Sequence, residues 1–122
     1  MAEHNLIGKK GEENAIKYLQ ANGYKIRHCN WRFKKNEIDI ICEKNNLLVV
    51  VEVKTRTSEI FENPKEAVTK SKQKAIIKAT EQYIFTYDIN LETRFDVISV
   101  IISGNETKVE HIEDAFQPSL LL

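Results

Sequence analysis

Residues 37–54 read Glu37-Ile38-Asp39-Ile40-Ile41-Cys42-Glu43-Lys44-Asn45-Asn46-Leu47-Leu48-Val49-Val50-Val51-Glu52-Val53-Lys54. Their wealth of Ile and Val predicts strands over 37–43 and 47–54. Between them stands Lys44-Asn45-Asn46. Asn tolerates positive φ, so Asn45-Asn46 suits a two-residue hairpin turn. Residues 47–51 are apolar on both faces, as in a central strand covered on both sides. Helices must then flank the sheet.

Working outward, residues 6–22 carry a helical period. Gly8, Gly11, Ala15, Tyr18, Leu19 and Asn22 line one side, and Gly23 is a natural stop. Glu12 lies beside this stripe, in line with Ile16 and Leu19. Residues 24–33 read as a further strand. Asn63-Pro64-Lys65-Glu66 has the form of a helix start, with Asn as cap and Pro at the first position. That helix is expected to reach about residue 85, with a break near Val68-Thr69 where Thr69 could cap a second segment. Val68, Ala75, Ile76, Ala79 and Tyr83 form its buried stripe, and Lys72 falls on it. Strands follow over 95–102 and 107–112, joined by the turn signal Gly104-Asn105. The order α-β-β-β-α-β-β describes an α/β domain with a mixed sheet.

With 122 residues, roughly two thirds of the chain's surface would be buried on folding, enough for one core and one domain over 1–122. Apolar residues at 42% and charged residues at 30% exclude a disordered composition. The longest apolar run, Leu47–Val51, is too short to span a bilayer, and the N-terminus lacks a secretion signal. Cys29 and Cys42 make neither a disulfide framework nor a zinc spacing. A cytoplasmic protein without membrane association is the expectation. The formal net charge is zero, yet the charge is uneven. Residues 1–35 hold eight basic and three acidic side chains, whereas residues 88–122 hold two basic and seven acidic. Such a polarity can present a basic face to phosphates, or folding can mix it into an ordinary surface.

The hairpin carries the chemistry. With Asn45 and Asn46 as its loop, Ile41 faces Val50, Asp39 faces Glu52 and Glu37 faces Lys54, all on one face. Opposed Cβ atoms lie roughly 4.5–5.5 Å apart. Two carboxylates at that spacing, beside buried Val and Ile, repel each other and are costly to leave unpaired. A divalent cation between them removes the cost. Hard oxygen donors suit Mg²⁺ or Mn²⁺, with Mg²⁺ also binding phosphate. Lys54, two residues past Glu52, can hold a metal-bound water and a phosphate oxygen. Acids, lysine and metal together make a phosphodiester hydrolysis site. The structural alternative is an ion cluster joining Glu37 to Lys54, with Asp39 and Glu52 in solvent.

The order of elements, with Asp39 and Glu52-Val53-Lys54, resembles the core of PD-(D/E)xK nucleases, a restriction-endonuclease-like αβββαβ arrangement. A closer resemblance is to the YraN-type family of small bacterial proteins, which is regarded as endonuclease-like. It spans about Gly8 to Phe116. It rests on Gly8-Lys9-Lys10-Gly11-Glu12, Asn30-Trp31-Arg32, Glu37-Ile38-Asp39, Val51-Glu52-Val53-Lys54-Thr55-Arg56, Pro64-Lys65-Glu66-Ala67-Val68-Thr69 with Lys72, and Arg94-Phe95-Asp96-Val97. The resemblance implies that Asp39, Glu52 and the Val53 carbonyl bind a metal. It implies that Lys54 orients water or stabilises charge, and that Glu12 is a metal-site or supporting carboxylate. Lys72 would reach the phosphate, and Lys70, Lys74 and Arg56 would extend the nucleic-acid contact. The substrate would be nucleic acid, DNA first, with a homodimer or larger partner supplying surface. Ile38 replaces the proline that names the superfamily. Asn36 and Glu62 stand where relatives often carry Gly. The alternative function is a non-catalytic module that binds nucleic acid or protein and retains the fold.

The remaining residues read structurally. His4, His28 and His111 have no ligand spacing. Trp31 and Phe33 suit core packing better than base stacking. Arg94 and Asp96 suit an ion pair. Lys70, Lys74 and Lys78 form a basic row that is also the ordinary pattern of a solvated helix face.

Overall fold

A computed structural model describes residues 2–57 and 68–118. The elements are α1 (Ala2–Ala21), β1 (Lys25–Phe33), β2 (Asn36–Lys44), β3 (Leu47–Arg56), α2 (Lys70–Tyr87), β4 (Glu92–Ser103) and β5 (Glu106–Phe116). This is the expected mixed α/β architecture, with a five-stranded sheet flanked by two helices. Among the described residues the strands lie in chain order, and only the β3–β4 pair is parallel. That single parallel junction is the place where the chain must cross over, and α2 makes the crossing. The cap expected at Asn63-Pro64 and the departure at Glu62 lie outside the described residues. The cap expected at Thr69 is present, its side chain accepting from the Lys72 N–H at the start of α2, and the helical segment expected before it lies outside the described residues. Asp88 ends α2 in the left-handed conformation.

The hairpin is as the two asparagines require. Asn45 and Asn46 have φ of 52° and 62°, the pair of positive values that a twisted two-residue turn needs. Ile40 pairs with Val51, Ile41 with Val50 and Cys42 with Val49. Apolar side chains on both faces of β3 then feed two cores. Val50 packs with Ile41, Leu48, Ile76, Ala79, Tyr83, Phe95 and Val97 under α2. Val49 and Val51 pack with Ala15, Leu19, Tyr24, Ile40, Cys42, Ile98 and Val100 under α1. Trp31 and Phe33 are packed against the α2-side core, as expected of structural aromatics.

The strand order also sorts the charge. The basic N-terminal segment ends in β1 at one edge of the sheet, and the acidic C-terminal segment ends in β5 at the other. Between β4 and β5, Asp96 is fully buried. Arg94 grips both its oxygens at 2.9 and 2.8 Å, His111 Nε2 lies 2.7 Å from Oδ2, and the Asp114 N–H donates to Oδ1. Burial alone would raise the Asp96 pKa; the His111 and Arg94 contacts outweigh it and hold the carboxyl below its usual range. The expected Arg94–Asp96 ion pair is therefore present, and His111 is satisfied within it. Among the described residues, no helix is long and apolar enough to cross a membrane.

Gly11 packs α1 against Thr55 of β3: a Cβ there would overlap Thr55 Oγ1 and stand 2.8 Å from Thr55 Cβ. Thr55 is branched at Cβ and cannot swing clear. Gly11→Ala is therefore expected to destabilise by about 1–3 kcal/mol, although alanine is the better helix former. Thermal denaturation of Gly11→Ala and of Gly11→Ala/Thr55→Ala checks this; the double variant should recover most of the loss.

Candidate metal and phosphate site

The ladder between β2 and β3 runs from Lys44↔Leu47 to Ile40↔Val51. One residue further, Asp39 Oδ2 accepts the backbone N–H of Val53 at 2.8 Å. A carboxylate thus takes a donor that a continuing ladder would have given to a carbonyl. Ile38 and Ile41 share the α2-side core although they are three residues apart. A regular strand would put them on opposite faces, so the alternation of β2 slips by one residue around Asp39. The expected row of six side chains on one face is corrected by this slip. Glu37 does not face Lys54; it pairs across to Arg32 on β1 at 2.9 Å.

Asp39 and Glu52 do come together, by a different route from direct opposition. Glu52 follows Val50 onto the α2 side and is 7% exposed. Its Oε1 is buried without a hydrogen-bond partner. Its Oε2 is 3.8 Å from Lys72 Nζ. Burial, and next the negative charge of Asp39, push the Glu52 pKa up to about 8, against the pull of Lys72 and then Lys54. Lys72 is exposed rather than buried on the helix stripe, and reaches Glu52 with its side-chain end. Lys54 is half-buried, one strand repeat beyond Glu52 on the same side.

Glu12 approaches from the opposite face. It is half-buried on α1, and burial followed by Asp39 and Glu37 raises its pKa, while a hydrogen bond with Asn30 opposes the rise. Asp39 therefore stands in the gap of the sheet with one carboxylate on each side of it. Asn30 belongs to one of the motifs that carry the family resemblance, but the sequence assigned it no place at the site. Its φ of 53° is the left-handed conformation that Asn tolerates, and that tolerance was the available signal. Lys70 and Lys74 are exposed on the first turns of α2, and Arg56 is half-buried at the end of β3. The first turn of α2 has no acidic residue. Lysines there oppose the helix dipole, an arrangement that an anion would relieve. Lys34 and Lys35 form the β1–β2 turn at this same end of the sheet.

The donor set can be tested against a metal. All side-chain donors here are hard carboxylate oxygens, and one is buried and unsatisfied. Among the described residues, no group of three or more His, Cys, Asp or Glu side chains is arranged to hold an ion. Carboxylate oxygens of this kind suit Mg²⁺ or Mn²⁺ held by one or two carboxylates, with water and substrate phosphate completing the shell. Asp39, Glu52 and the Val53 carbonyl are the groups that could hold such an ion.

Residues 11–100 match the profile of the uncharacterised protein family UPF0102. A UPF0102 protein of Flavobacterium psychrophilum is 49% identical over 116 residues, covering 95% of this chain and 98% of its own length. Those of Phocaeicola vulgatus and Bacteroides thetaiotaomicron are 47% and 46% identical over 120 residues, each covering 98% of this chain and 99% of its own length.

Glu52 has a consequence for stability. Between pH 4.5 and about 8 the folded chain holds a proton on Glu52 that the unfolded chain has released. The unfolded state then binds fewer protons, so stability falls as pH rises through that window. Glu52→Gln removes this slope. At pH 8.5 without divalent metal, the variant is expected to be more stable than wild type by on the order of 2–4 kcal/mol. At pH 4.5 the two should be nearly equal. Urea denaturation from pH 4.5 to 8.5 in a chelating buffer checks both statements.

Proposed function

The chain belongs to the uncharacterised protein family UPF0102, and we propose that it is a Mg²⁺-dependent nuclease that hydrolyses phosphodiester bonds in nucleic acid, DNA first. The observation that carries this reading is the half-buried Asp39 beside the buried Glu52, whose Oε1 is unsatisfied. A carboxylate is costly to bury without a partner, and a divalent cation is the partner that matches these donors. The order of elements and the Asp39, Glu52-Val53-Lys54 pattern resemble PD-(D/E)xK nucleases, which supports the same reading.

Each residue then has a task. Asp39, Glu52 and the Val53 carbonyl would hold the ion. When bound, Mg²⁺ supplies an acidified water and neutralises charge on the phosphate. Lys54 would orient the attacking water and stabilise charge developing on the phosphoryl oxygens. Lys72, drawn toward Glu52 before metal binds, is placed to move its ammonium onto a phosphate oxygen. Lys70, Lys74 and Arg56 contact neighbouring phosphates and set the position of the strand. Glu12, facing Asp39 from the other side, would add negative charge toward the metal. In a cytoplasmic setting millimolar Mg²⁺ would be at hand.

A second reading is a module that binds nucleic acid or protein without cutting. One observation favours it: the absence, among the described residues, of a three-ligand grouping. The test is a cleavage panel of linear duplex, single strand, flap, four-way junction and structured RNA, with Mg²⁺ and with Mn²⁺. Wild type should cut at least one substrate, and Asp39→Asn and Glu52→Gln should each lose at least about 100-fold, equivalent to about 2.7 kcal/mol of transition-state stabilisation. Lys72→Ala should weaken binding of every sequence alike and reduce its salt dependence. Binding without cutting by the wild type would favour the second reading. Cutting that survives in both carboxylate variants would remove Asp39 and Glu52 from the site.

A further inference from the structure

The two edges of the sheet are built differently. β1 is interrupted by a register shift between Ile26 and His28 and by Asn30 at φ 53°. Its charges are basic, with Lys25, Arg27 and Arg32. A broken, single-signed edge is how a strand avoids pairing with another chain. β5 lacks this protection over much of its length. From Glu106 to Ile112 it pairs with β4 in unbroken register, Ser103↔Glu106 through Val97↔Ile112. Its irregularity is confined to residues beyond Ile112, where Asp114 takes φ 53°. Among the described residues no strand lies on its outer side.

We propose that this edge pairs with the β5 edge of a second copy of the chain, antiparallel, about a two-fold axis through Val109. The charge pattern selects both the partner and the register. A two-fold between antiparallel strands keeps each side chain on its own face of the sheet, so opposed residues differ by an even number. Centring on Lys108 opposes two lysines. Centring on Glu110 opposes two glutamates. Centring on Val109 opposes Lys108 to Glu110 of the partner copy, twice, and uses the whole of residues 106–112. It also brings the two Val109 side chains together, each half-buried against the α1-side core. Lys108, Glu106 and Glu110 are exposed. Opposite charges directly across antiparallel strands are favourable and like charges are not.

The alternative of β1 on β5 also joins opposite charges. It is heterologous and would not close, and the interrupted β1 edge offers a poor ladder. The isologous pair closes at two copies and makes one ten-stranded sheet. It carries a candidate site in each half, with β3 of the two halves running in opposite directions. Seven residues of edge bury less than a standard interface, so the dimer is weak and concentration-dependent. This inference does not depend on whether the site cuts.

Sedimentation equilibrium of the full chain over a range of concentrations tests it, using charge reversal. Wild type should reach a monomer–dimer equilibrium, and Lys108→Glu and Glu110→Lys should each weaken it by about tenfold. The double variant Lys108→Glu/Glu110→Lys restores the opposed pairs and should return to within about threefold of wild type. Val109→Cys, in a Cys29→Ser background, should crosslink to a dimer on mild oxidation, because directly opposed Cα atoms lie within disulfide reach. A chain that stays monomeric to about 0.5 mM overturns the proposal. So does a dimer indifferent to all three charge variants, and so does open-ended association.

Discussion

Val53 gives its backbone N–H to the carboxylate of Asp39, and much of the site follows from that one bond. A strand in mid-sheet must satisfy its backbone groups on both sides. β3 does so with β4 along its full length, but on the other side its ladder with β2 ends at Val51. Asp39 satisfies the next donor itself. Being a side chain, it brings a negative charge into the gap where a neutral carbonyl would have stood. Glu52 is carried beside it on one face and Glu12 on the other. The β2–β3 ladder thus ends at a carboxylate.

The cost of this arrangement sits on Glu52. Burial and Asp39 both favour its protonated form, and the nearest lysine ammonium is 3.8 Å away. The contrast with Asp96 is instructive. That carboxylate is buried more deeply, yet Arg94, His111 and a backbone N–H satisfy both oxygens and hold its pKa down. Asp96 joins β4 to β5 and, through the Arg94–Tyr24 bond at 2.8 Å, to the end of α1. A buried acid whose partners are all supplied reads as architecture. One whose oxygen is left open, with lysines converging on it, reads as a place for something from outside.

The sequence was most legible where local chemistry has one solution. Asn45-Asn46 between two apolar runs can close one kind of turn, and the pairing of Ile41 with Val50 follows by counting. It was least legible at Ile38-Asp39-Ile40-Ile41. Apolar residues stand on both sides of Asp39, so a slip of one residue still buries an isoleucine on each face, and the pattern cannot report it. The same ambiguity placed Glu37 opposite Lys54 when it belongs to Arg32. Lys72 was visible as a misfit on an apolar stripe, but its exposed stem and its reach to Glu52 depend on where α2 lies.

By itself the sequence determined the order of elements, the double-sided burial of β3, the hairpin turn and the closeness of Asp39 to Glu52. These rest on periodicity and backbone preference, which act over a few residues. Only the tertiary structure decided that β2 leaves β3 at Asp39, that Glu12 and Asn30 join from the other face, and that the basic and acidic segments take opposite edges of the sheet. Those outcomes depend on packing and electrostatics between residues far apart in the chain, where local pattern holds no information.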